Sequence, residues 1–94
     1  GKGSVHEGGI REPMIVKWPG KTKPGAYTDK QVIIEDFYPT ILEMAGISNY
    51  KTIQKTDGIS FNPILEGENI SDKDRALFWH YPNEWGPSGP GIGA

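Results

Sequence analysis

The sequence predicts a loop-rich chain that combines α and β elements, and three observations carry that reading. An apolar run, Met14-Ile15-Val16-Lys17-Trp18, stands between Pro13 and Pro19-Gly20, the pattern of a short buried strand. Phe37, Ile41, Leu42 and Ala45 recur at helical spacing between Asp36 and Gly46. Ala76-Leu77-Phe78-Trp79-His80-Tyr81 is rich in aromatic residues and is stopped by Pro82, which predicts another strand.

Residues 1–13 precede these elements as a loop in which four of thirteen residues are glycine. Glycine lets backbone turn sharply or approach a ligand, and Lys2, held between Gly1 and Gly3, can reach a bound anion. Such a loop is an unusual way for a domain to open, so the chain reads as a piece of a larger protein. After the 14–18 strand, residues 21–27 are polar and contain the turn dipeptide Pro24-Gly25. Val32-Ile33-Ile34 is either a short strand or the lead into the next helix.

That helix is expected over 36–45. Asp36 suits the positive end of the helix dipole, Pro39 sits in the first turn where its missing N–H is harmless, and Gly46 is a natural stop. Its predicted apolar face is Phe37, Ile41, Leu42 and Ala45. Residues 47–60 are mostly polar and hold Asp57-Gly58, read as a turn pair. Phe61 to Gly67 reads as a single helical turn, with Pro63 near its start and Gly67 after it. Residues 72–75 are a charged surface link, and the glycines and prolines beyond Asn83 predict no regular element.

Composition narrows the functional classes. Ninety-four residues suit one small domain with a modest core. Thirteen glycines and eight prolines approach low complexity, but three Trp, four Tyr and three Phe argue against simple disorder. Ten basic and twelve acidic residues give a net charge of −2 with no basic stripe, so there is no electrostatic footprint for nucleic acid. No apolar run is long enough to span a bilayer, and no secretory leader pattern occurs within these residues. The absence of cysteine removes disulfides, thiolate metal sites and a cysteine nucleophile from these residues. Gly1-Lys2-Gly3-Ser4 does not make a phosphate-binding loop, because Gly3 separates Lys from Ser and the upstream glycine is missing.

The order of motifs resembles the sulfatases of the alkaline-phosphatase superfamily. Gly1-Lys2-Gly3 is followed by Glu7-Gly8-Gly9-Ile10-Arg11-Glu12-Pro13 and Trp18-Pro19-Gly20. Next come Asp36 to Gly46, Asp57-Gly58-Ile59-Ser60, Pro63 to Gly67, and Arg75 to Pro82. The likeness covers nearly the whole chain. It implies an α/β fold in which this segment supplies a late strand of a large mixed sheet, one packed helix and the start of a smaller C-terminal region. On that basis 1–94 is one fragment of a catalytic domain. Residues 1–46 would hold the sulfate-site loop, strand and helix, and 47–94 a loop-rich passage toward the C-terminal subdomain.

The resemblance also implies a chemistry. Sulfatases cleave sulfate esters with a formylglycine made from Cys or Ser in a Cys/Ser-x-Pro-x-Arg motif, beside a calcium ion. Neither that motif nor the family's metal-ligand pair occurs in these residues, so this piece alone is expected to be inactive and to hold no cofactor. Lys2 matches the lysine that contacts the sulfate group. Glu7 and Arg11, four residues apart, are expected to support the loop that presents it. His80 matches a segment that approaches the substrate cleft, with Trp79, Tyr81 and Trp85 as sugar- or aryl-stacking neighbours, although strand alternation sets Trp79 and Tyr81 on the opposite face. The expected substrate is an aryl or carbohydrate sulfate, and the expected compartment is periplasmic, secreted or lysosomal. Rival readings are a phosphodiesterase or phosphonate monoester hydrolase of the same superfamily, and a non-catalytic binding module. Uncovered strand edges and apolar faces predict self-association of the piece.

Overall fold

A computed structural model describes residues 5–71 and 75–81. The chain forms two compact units, residues 16–72 and residues 1–15 with 73–94.

The 16–72 unit is organised by the helix at its middle. Ile34–Asp36 forms one 3-10 turn that runs directly into α2, Phe37–Met44, so Val32-Ile33-Ile34 is the lead into a helix rather than a strand. The helix ends in a left-handed glycine cap. Gly46 has φ +75°, its N–H donates to the carbonyl of Glu43 at 3.0 Å, and the Ile47 N–H donates to Leu42 at 2.9 Å. These bonds satisfy carbonyls that the helix end would otherwise leave open. The single turn α3, Asn62–Leu65, stops the same way: Gly67 has φ +89°, with Gly67 N–H on Ile64 and Glu68 N–H on Pro63.

The helix packs through only part of the predicted face, together with a polar row that the prediction left out. Ile41 lies outside with 57% of its surface exposed, whereas Asp36, Pro39 and Thr40 are buried. The reason lies in the segment that crosses it. Residues 58–61 form no regular element, and their backbone N–H groups need acceptors once they leave water. Ile59 N–H donates to Asp36 Oδ1 at 2.8 Å, and Phe61 N–H donates to Thr40 Oγ1 at 3.0 Å. Asp36 and Thr40 lie four residues apart, which puts both acceptors on one face of the helix. The polar row Asp36–Thr40 therefore turns inward, and part of the apolar stripe turns out.

Three further bonds complete this polar hub. Asp36 Oδ2 accepts from the Ile33 N–H at 3.0 Å, the Thr40 hydroxyl donates to the Asp36 carbonyl, and Asn62 Nδ2 donates to the Thr40 carbonyl at 3.2 Å. Apolar packing closes over it, with the rings of Phe37 and Phe61 edge to face at 5.2 Å. Asp57-Gly58 is not a turn. Gly58 is a point of close approach, where a Cβ would lie 2.0 Å from the Glu35 carbonyl oxygen. No side chain fits there without moving backbone.

Two glycine turns shape the start of this unit. Trp18-Pro19-Gly20-Lys21 turns at Gly20, φ +81°, with the Lys21 N–H on the Trp18 carbonyl. Thr22 reinforces it by accepting from the Trp18 N–H and donating to the Trp18 carbonyl. Pro24-Gly25 makes the predicted turn, with Gly25 at φ +73° and Ala26 N–H on Lys23. The Lys21 ammonium lies over the Trp18 ring and 3.9 Å from Glu66, tying the first turn to the end of α3.

In the other unit, Glu7–Ile10 forms the one-turn helix α1. Residues 75–80 form no regular element, and their burial alternates: Arg75, Leu77 and Trp79 are half-buried, while Ala76, Phe78 and His80 are exposed. The expected strands at 14–18 and 76–81 are not paired. Among the described residues the regular elements are helical only. A strand needs a second backbone to share its ladder, and no such ladder forms at these segments among the described residues.

Candidate active-site loop and its neighbours

The candidate site residues lie in the unit formed by residues 1–15 and 73–94. Lys2, the predicted sulfate ligand, lies outside the described residues, as does Trp85. The loop that follows Lys2 is described from Val5 onward. His6 closes a turn by accepting from the Gly9 N–H at 2.7 Å, and Arg11 N–H donates to the Glu7 carbonyl at 2.9 Å. Gly8 and Gly9 thus sit inside α1, where their conformational freedom is a cost that a single helical turn must offset.

Glu7 and Arg11 are paired across that turn. The guanidinium donates to the carboxylate at 2.5 Å, with both side chains largely in solvent. An exposed i,i+4 pair contributes little to stability, typically a few tenths of a kcal/mol. Its effect is geometric, since it brackets the Gly8-Gly9 pair. Glu7 is also the acidic residue of the first turn, where the helix dipole favours it.

His80 is exposed near the end of the 75–81 segment, and Trp79 is half-buried. The alternation thus sets His80 on the side opposite Trp79, in the same row as the exposed Phe78. Glu7, Arg11 and His80 belong to one compact unit. Among the described residues, no three His, Cys, Asp or Glu side chains group so as to hold a metal ion. The described side chains therefore do not fit a calcium site, and the sequence has no Cys/Ser-x-Pro-x-Arg to carry a formylglycine.

Sequence reasoning missed the Asp36–Thr40–Asn62 hub as a unit. Asp36 was legible as a helix start, but its two long-range tasks were not. The available signal was the i,i+4 spacing of Asp36 and Thr40, which puts two acceptors on one helix face.

Comparison with known proteins supplies what the geometry leaves open. The family described as N-sulphoglucosamine sulphohydrolase, C-terminal, matches residues 1–87. A sulfatase of Formosa agariphila is 40% identical over 84 residues, covering 86% of this chain and 15% of that protein. The sulfatase YdeN of Escherichia coli is 40% identical over 78 residues, covering 83% of this chain and 14% of its own length. Human arylsulfatase A is 35% identical over 85 residues, covering 89% of this chain and 16% of that protein. The chain thus spans about 15% of the length of the curated relatives it matches. With its motifs in family order and nearly its whole length matched, the chain belongs to the sulfatase family, in the part of the sequence that corresponds to the family's C-terminal domain.

Proposed function

We propose that this chain is part of a sulfatase that hydrolyses aryl or carbohydrate sulfate esters. The family implies an α/β fold of the alkaline-phosphatase type. The observation that carries the proposal is the match of the sulfatase C-terminal family across residues 1–87, with Gly1-Lys2-Gly3 at its head. The formylglycine nucleophile and the calcium ion would come from residues outside this chain. The proposed compartment is the periplasm, the lysosome or the extracellular space.

Within the chain, Lys2 is the proposed clamp on the sulfate. An ammonium beside the sulfuryl oxygens stabilises the charge that builds as the ester bond breaks, and does so best in a site closed to water. The Glu7–Arg11 bracket fixes the glycine loop that presents it. His80 is proposed to contact the organic part of the substrate from its exposed position.

The test is made in the intact enzyme. Lys2→Ala should lower kcat/KM for 4-nitrophenyl sulfate by at least about tenfold, or about 1.4 kcal/mol of transition-state stabilisation. Near-normal kinetics would remove the Lys2 assignment. Faster turnover of bis(4-nitrophenyl) phosphate or of a phosphonate monoester than of any sulfate ester would move the protein to the phospho-ester branch. Binding of sulfated ligands without turnover would make it a binding module.

A further inference from the structure

Asp57-Gly58 takes no part in the sulfate chemistry proposed above, yet it carries a chemistry of its own. An aspartate or asparagine rearranges when the backbone nitrogen of the next residue attacks its side-chain carbonyl carbon. The attack is easiest before glycine, which has no side chain to crowd the nitrogen and the freest backbone. The other aspartates precede Lys30, Phe37, Lys73 and Arg75, and the asparagines precede Tyr50, Pro63, Ile70 and Glu84. Only Asp57 stands before a glycine.

The structure leaves both reacting groups free. Asp57 is exposed and belongs to no regular element, and among the described residues no hydrogen bond or ion pair holds its carboxylate. The Gly58 N–H likewise donates to no described residue. Immediately beyond, the chain is fixed. Gly58 lies against the Glu35 carbonyl, the Ile59 N–H is bonded to Asp36, and the Phe61 N–H is bonded to Thr40. A free carboxylate thus adjoins a docked segment.

We propose that Asp57 is a site of spontaneous isomerisation in this chain, and that the change loosens the docking of residues 58–61 on α2. In the first step the Gly58 nitrogen forms a bond to the side-chain carbonyl carbon of Asp57. The nitrogen's proton and the carboxyl's hydroxyl leave as water, which closes a succinimide ring. Water then opens the ring by breaking one of its two C–N bonds. Breaking the new bond restores aspartate. Breaking the original peptide bond gives isoaspartate, in which the main chain runs through the side-chain carbon. One water leaves and one returns, with no oxidant or reductant. Isoaspartate inserts a methylene into the backbone directly before Gly58. The Glu35 carbonyl blocks one side of that glycine, so the added length bears on the Ile59–Asp36 bond beyond it.

The experiment incubates the full 94-residue chain in warm neutral buffer. Isoaspartate is detected by protein isoaspartyl methyltransferase and placed by electron-transfer fragmentation of tryptic peptides. It is expected to accumulate at residue 57 ahead of every other aspartate and asparagine, after a succinimide form lighter by one water. Asp57→Glu keeps the charge but must close a larger ring, so methylation at this position should be lost. Because Asp57 is exposed, that variant should keep the parent's circular dichroism and urea midpoint. The isomerised chain, separated by ion exchange, should unfold at lower urea than the unaltered chain. Absence of isoaspartate at 57, earlier accumulation elsewhere, or undiminished methylation of Asp57→Glu overturns the assignment. Equal urea midpoints for the isomerised and unaltered chains overturn the loosening.

Discussion

Asp36 is the residue on which the 16–72 unit turns. Its side chain is fully buried, and its two oxygens serve two backbone donors, Ile33 and Ile59, that lie far apart in sequence. Asparagine in its place has the same size but a single acceptor, so one N–H would face an amide NH2. The expected loss for Asp36→Asn is about 1–3 kcal/mol, the cost of leaving a buried donor unserved. Urea unfolding monitored by tryptophan fluorescence would measure it, and a loss below a few tenths of a kcal/mol would contradict the role given to the second oxygen. Asn62 shows the opposite economy: it is 2% exposed and donates to Thr40, while its Oδ1 is buried with no hydrogen-bond partner. Sequence reading found Asp36 at the right place because carboxylates favour helix starts, but a bond to residue 59 leaves no local trace. Gly58 was misread for a related reason. Asp-Gly is a common turn dipeptide, and only the neighbouring carbonyl of Glu35 reveals that the glycine is there for closeness.

At the scale of elements, α2 was legible in both position and end. Its helical periodicity, the Pro39 in the first turn and the Gly46 stop all proved to be features of the helix. Its orientation was not legible, because apolar spacing marks a face without saying which surface will meet it. Ile34, Tyr38 and Ile41, at i, i+4 and i+7, remain 77%, 49% and 57% exposed, and Tyr50 stacks edge-on against Tyr38. A helix with a polar face locked inward and an apolar row outward has apolar surface left to bury. We expect the 94-residue chain to self-associate through this row at micromolar concentration. The double variant Ile34→Lys/Ile41→Lys should be monomeric by sedimentation velocity under conditions where the parent is not. A parent that sediments as a monomer would refute this. The strands at 14–18 and 76–81 failed differently. The burial expected for 14–18 is not found, since Met14 and Ile15 are exposed, whereas burial over 75–80 does alternate. Pairing, however, is a property of two segments, and a single run of residues does not carry it.

Across the whole molecule, composition and structure agree on why the interior is small. Only 35% of the residues are hydrophobic, and many of the large ones, Ile15, Ile53 and Phe78 among them, stand in solvent. Among the described residues the buried set is instead largely polar: Asp36, Thr40 and Asn62 beside Phe61 and Pro39. The sequence offers the candidate site only as residue types in order, and their assembly is a matter of tertiary contacts that a string of motifs does not carry; among the described residues no three His, Cys, Asp or Glu side chains group together. That division carries an expectation for the chain on its own. Incubated with 4-nitrophenyl sulfate and calcium, the purified 94-residue chain should release no sulfate above the uncatalysed rate, and measurable release by ion chromatography would overturn the proposal that the nucleophile lies elsewhere.

The docking of residues 58–61 on α2 has a spectroscopic consequence. Ile59 and Phe61 donate their N–H groups to Asp36 and Thr40, and Ser60 lies between them. In deuterated water the amides of 59 and 61 should therefore exchange slowly and that of 60 quickly. Protection at every second residue is the usual signature of an edge strand in a sheet. Here the same rhythm would be written by two side chains of a helix.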